Sequence, residues 1–144
     1  MSTIFIPTDF QKDFLELIPV LTNALDDTHS DIILGHLFKV KGYEQLYWKK
    51  NIEFKNIDLD FIIECESRFL LKKSLSVRNF VGSSVAGLKL FFEINHIDLI
   101  LNPVDYSFKK ISKYSIQNPC TIIKRSGFPV SEVHSIGELI HATT

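Results

Sequence analysis

The chain has 144 residues, 45% of them hydrophobic and 12% aromatic, with 16 basic side chains against 17 acidic ones and a formal net charge of -1. That is enough apolar chain for the core of one domain, expected over residues 1–144. The near-neutral balance gives no electrostatic footprint for non-specific nucleic-acid binding. Cys65 and Cys120 stand in no metal-ligand spacing, no secretory leader opens the chain, and no apolar run approaches the ~18 residues of a membrane span, so a cytoplasmic protein with free thiols is expected.

In chain order, Thr8 or Asp9 can cap a helix whose apolar positions Phe10, Phe14, Leu17, Leu21 and Leu25 share one face, with Pro19 kinking or splitting it. Residues 31–35 read as a short buried strand ending at Gly35, with His36 next in the turn. Residues 57–63 combine an apolar, β-branched second half with carboxylates at Asp58 and Asp60. On a strand these two aspartates share a face about 6.6 Å apart, and such a pair repels unless a cation sits between them; Mg²⁺ or Mn²⁺ suits an all-oxygen site. The plainer reading is a strand end whose aspartates face solvent.

Residues 64–76 carry helix formers, and residues 77–81 resume a strand. The small residues 82–87, Gly82 to Gly87, read as a connector, with phosphate binding through backbone amides as the sharper alternative. Leu88, Leu90, Phe92 and Ile94 alternate as on a strand, Asn95-His96 suits a turn, and residues 97–101 again place an aspartate, Asp98, before an apolar run. If this strand neighbours the first acidic one, about 4.8 Å away, Asp98 completes a three-aspartate cluster. Tyr106, Ile111 and Tyr114 mark an amphipathic helix, residues 121–123 a short strand, 127–129 a turn, and 135–140 a capped helical turn. The predicted fold is α/β (α+β), a mixed β-sheet flanked by helices. No serine or cysteine lies in a nucleophile motif.

This order of features, with Gly35 at a turn, the Asp58/Asp60 pair, Asp98, and the tail Phe128-Pro129-Val130 followed by Ser135-Ile136-Gly137-Glu138-Leu139-Ile140, resembles the nucleotidyltransferase superfamily with a polymerase-β-type core. Its small bacterial members and the abortive-infection toxins are the nearest in pattern. The resemblance implies a nucleotidyltransferase-like fold in which Asp58, Asp60 and Asp98 are catalytic and hold two Mg²⁺ or Mn²⁺ ions, while Gly35 and His36 contact a nucleoside triphosphate such as ATP. It implies transfer of a nucleoside monophosphate to a protein, tRNA or small-molecule acceptor, in a toxin–antitoxin or phage-defence setting. A second register, with Gly82-Ser83 at the turn and His96 beside Asp98, is less favoured because it supplies histidine as a first ligand. The short apolar face of Ile136, Leu139 and Ile140 points to a homodimer. The rival expectations are a degenerate binding protein of the same fold and an immunity- or antitoxin-like protein partner without catalysis.

Overall fold

The computed structural model describes residues 2–25, 29–41, 59–69 and 74–134. Within them the chain runs β1 (Ser2–Pro7), α1 (Lys12–Leu15), α2 (Ile18–Ala24), β2 (His29–Gly35), β3 (Leu37–Lys39), α3 (Leu59–Phe69), β4 (Ser74–Val77), β5 (Phe80–Gly82), α4 (Val85–Ile94), β6 (Leu99–Pro103), α5 (Pro119–Arg125) and β7 (Val130–Val133).

Five of these strands form one sheet in the order β4-β2-β1-β6-β7. Every pairing in it is parallel, so the expected mixed sheet is instead a parallel one flanked by helices. β3 and β5 form a separate parallel pair. The chain builds outward from β1 through β2 to β4, then returns to β1's other side for β6 and β7. The strand order therefore reverses between β1 and β6, and in open parallel sheets the crevice beyond the carboxyl ends of the strands at such a point is where ligands bind.

Alternation along the strands explains the two cores. Ile4 and Ile6 of β1, Ile32 and Leu34 of β2, and Leu101 of β6 pack with Phe14, Ile18 and Leu21 of the first helices and Phe61, Cys65 and Phe69 of α3. Phe5, Ile33 and Ile100 face the other way, onto Leu88 and Phe92 of α4 and Ile123 of α5.

The structure corrects several element assignments. The run that includes Asp60 is helical, because Phe61, Cys65 and Phe69 at four-residue spacing bury one stripe while Leu59 and Ile63 stay 76% and 62% exposed. Leu88 to Ile94 is likewise helical: Leu88 and Phe92 are buried, Leu90 and Ile94 exposed, and Ser84 caps the helix by accepting from the Gly87 N–H at 3.0 Å. Residues 121–123 lie in α5, opened by Pro119, and residues 106–114 form an irregular segment instead of a helix. The N-terminal strand β1, the centre of the sheet, was not expected at all. The predicted strand at 31–35 and the split at Pro19, which sits at the start of α2, are as expected. The homodimer patch at Ile136, Leu139 and Ile140 lies outside the described residues.

Candidate functional site

The carboxyl end of β1 runs into Thr8-Asp9-Phe10. Asp9 is 0% exposed, an unusual place for a carboxylate, and its oxygens are fully occupied by this chain's own donors. Oδ1 accepts the Gln11 N–H at 3.2 Å, the Tyr106 hydroxyl lies 2.8 Å from Oδ2 and 3.0 Å from Oδ1, and Oδ2 also accepts the Lys109 N–H at 2.9 Å. The Thr8 hydroxyl accepts the Phe10 N–H at 3.1 Å. Phe10 has φ +57°, in the left-handed region that is costly for a bulky residue; the Thr8 and Asp9 side chains hold it there while its ring packs edge-on against Phe61. Backbone strain of this kind concentrates at ligand clamps and switch regions.

His36 follows the carboxyl end of β2 and is 3% exposed. Its Nδ1 lies 2.8 Å from the Thr8 carbonyl, which can only accept, so Nδ1 carries the proton. Nε2 then accepts from the Ser115 hydroxyl at 2.7 Å, and that hydroxyl oxygen accepts the Ile111 and Ser112 N–H groups, each at 3.1 Å. Burial holds the His36 pKa below its ordinary value, with the Thr8 carbonyl and the Asp9 charge working against that shift. Burial, with the neighbouring Asp9, pushes the Tyr106 phenol up.

Residues 106–116 therefore form a strap across the carboxyl ends of β1 and β2. Its ends are Tyr106 on Asp9 and Ile116, whose N–H donates to the Leu37 carbonyl at 2.9 Å; near the second end Lys39 donates to the Tyr114 carbonyl at 2.8 Å. Lys109 pairs with Asp13 at 3.2 Å. Residues 104–118 contain no glycine. Beside Tyr106, a shallow surface hollow lies against Leu17 and Leu21 and encloses no room for a ligand. Near the end of β6, Asn102 is 0% exposed; its amide donates to the Cys120 carbonyl at 3.3 Å and its Oδ1 has no partner among the described residues.

The residues singled out from sequence are placed elsewhere or used differently. Asp58 lies outside the described residues. Asp60 is exposed in the first turn of α3, beside Phe61 and hence near the carboxyl end of β1. Asp98 is exposed at the opposite end, where its N–H donates to the Thr3 carbonyl at 2.9 Å and its Oδ2 accepts the Thr3 N–H at 2.8 Å. Asp98 is thus clasped to the start of β1, while Asp60 opens α3. Asp60 and Asp98 are not brought together. Among the described residues no group of three or more His, Cys, Asp or Glu is placed to hold a metal ion.

Gly35 and His36 do lie at a strand end. A Cβ at Gly35 would sit 2.0 Å from the Arg78 carbonyl oxygen and 2.8 Å from the Phe5 ring, so close packing accounts for the glycine. The His36 N–H is taken by Asn79 Oδ1 at 2.8 Å. The 82–87 loop serves as the cap of α4. Asp9 and Tyr106 were missed as a pair; the signal available was a polar Thr8-Asp9 step directly after the apolar run Ile4-Phe5-Ile6-Pro7.

No protein-family model and no curated protein sequence matches the chain. Solved structures do. Hypothetical protein MJ0577 aligns with a TM-score of 0.56 at 21% identity, covering 92% of this chain and 95% of that one. A universal stress protein in complex with cAMP aligns at 0.53 and 15%, covering 92% and 96%. Hypothetical protein PH0823 aligns at 0.52 and 17%, covering 92% and 95%. These neighbours are universal-stress-protein-like α/β proteins with a parallel sheet, which overturns the expected nucleotidyltransferase fold and its metal-dependent nucleotidyl transfer. No described helix is long and apolar enough to cross a membrane. At these identities the likeness is one of fold: the chain is similar in architecture to universal stress proteins.

Proposed function

We propose that this chain is a ligand-binding module, with a nucleotide as its ligand class and the crevice beyond β1, β2 and β6 as its site. The observation that carries the reading is the buried Asp9 carboxylate at the point where strand order reverses, beside Thr8 and His36, with Asn102 Oδ1, unpartnered among the described residues, near the end of β6. A carboxylate there accepts from sugar hydroxyls or a base amino group as it now accepts from Tyr106 and Lys109. A structural neighbour is described as a complex with cAMP, which makes cAMP and ATP the natural probes.

The strap favours weak binding by the wild type, since any ligand must first displace Tyr106 from Asp9. Calorimetry with cAMP and ATP tests this. Tyr106→Ala is expected to bind at least one of them more tightly than wild type, and Asp9→Ala in that background to lose the gain. No heat from either nucleotide at millimolar concentration, with wild type and with Tyr106→Ala, would overturn the reading in favour of a module that works through a protein partner alone.

A further inference from the structure

Residues 106–116 are held to the sheet in an unusual way. Lys109, Lys110, Ile111 and Lys113 are exposed, Ser115 is the one buried member, and the segment has no helix or strand of its own. Its grip combines polar bonds at Asp9 and His36, the Lys109–Asp13 pair and a short backbone pairing with β3 with packing of Tyr106 on Phe14, of Tyr114 beside Phe38 and of Ile116 against the second core, so the His36–Ser115 bond is one clasp among several.

We propose that this strap is a proton-operated latch: it is shut while His36 Nε2 accepts the Ser115 hydroxyl, and it releases when Nε2 takes a proton from solvent. The hydrogen-bond inventory forces this coupling. In the shut state Ser115 Oγ donates once, to Nε2, and accepts twice, from the Ile111 and Ser112 N–H groups. A protonated Nε2 is a donor facing an oxygen whose two lone pairs are already taken, and the Ser115 proton loses its acceptor. Two buried donors are then without partners, alongside a buried positive charge flanked by the Phe38 and Phe10 rings.

The charged groups around the ring do not cancel this. On the β1 side Asp9 favours the imidazolium, yet burial outweighs it. On the strap Lys109 directs its ammonium to Asp13. The turn before β5 presents neutral Asn79 to the His36 amide, and Arg78 turns its guanidinium to the Val77 carbonyl. Opening exposes the ring to water, where its pKa returns toward ~6.5, so acid below that value favours the open state.

Amide hydrogen exchange at pH 7.5 and pH 5.5, corrected for intrinsic rates, tests the latch without any nucleotide, so its failure is separate from failure of the binding reading. The Lys109, Ile111, Ser112 and Ile116 amides are expected to lose up to about tenfold in protection at pH 5.5, while amides of β1 and β2 stay protected. His36→Gln, which still accepts from Ser115 but does not titrate, is expected to keep the strap protected at both pH values. Ser115→Ala is expected to lose protection at both, which tests the latch even where His36→Gln does not fold. Unchanged protection in the wild type, an equal acid loss in His36→Gln, or loss of β1 and β2 protection together with the strap would overturn the proposal.

Discussion

The two ends of the sheet each carry aspartates, and they are built oppositely. At the amino end Asp98 is exposed and tied to Thr3, and Asp31 accepts the Ser74 hydroxyl; both are strand-to-strand clasps in contact with water. At the carboxyl end Asp9 is sealed from water and surrounded by strained backbone, a buried histidine and a covering strap. In a parallel sheet all strands point one way, so every loop that follows a strand meets at one end, and polar groups gathered there can act together. Asp98, just before β6, and Asp31, early in β2, clasp neighbouring strands, whereas Asp9, just after β1, joins the crevice.

The comparison can be broken by mutation. The largest effect is expected for Asp9→Ala, which strands the Tyr106 hydroxyl and the Lys109 and Gln11 amides and is expected to cost about 4 kcal/mol in urea denaturation. Gly35→Ala, which drives a methyl into the Arg78 carbonyl, is expected to cost about 2–3 kcal/mol by the same measurement. Tyr106→Phe removes one charge-assisted bond and should cost about 1.5 kcal/mol.

The pH dependence sharpens the contrast further. His36 has its pKa depressed by burial in the folded state, so the unfolded chain binds more protons below ~6.5; stability present above that pH is lost as pH falls toward the depressed value. Thermal melts at pH 7.5 and 5.5 should show this loss in wild type and a smaller one in His36→Gln. The smallest effect is expected at the amino end: Asp98→Asn, exposed and still able to accept from Thr3, should change stability by less than about 0.5 kcal/mol. A cost equal to that of Asp9→Ala would erase the difference between the two ends.

The sequence made part of this legible. The strand at 31–35, the strand expected at 97–101 and found two residues later at Leu99–Pro103, and the split at Pro19 follow from local chemistry, as β-branched runs and a missing N–H leave few choices. Residues 59–63 and 88–94 were misjudged because a short apolar run fits either period; the deciding fact, that only Phe61, Cys65 and Phe69, or Leu88 and Phe92, find a partner, lies in other elements. That error also created the acidic cluster, since it placed Asp60 on a strand beside Asp98. The site itself was hidden for a different reason. Asp9 reads locally as a helix cap, and its partners Tyr106 and Lys109 lie 97 and 100 residues away, so only the parallel topology brings them together.

The most direct test of the central claim, that the working end of this molecule is the strap-covered crevice around Asp9, is a ¹H–¹⁵N titration of Tyr106→Ala with cAMP. Saturable shifts are predicted for the amides of Thr8, Asp9, Phe10, His36 and Lys109, with Asp98 and Thr3 unmoved. Saturable shifts centred on Asp98 and Thr3, or none anywhere, would contradict it.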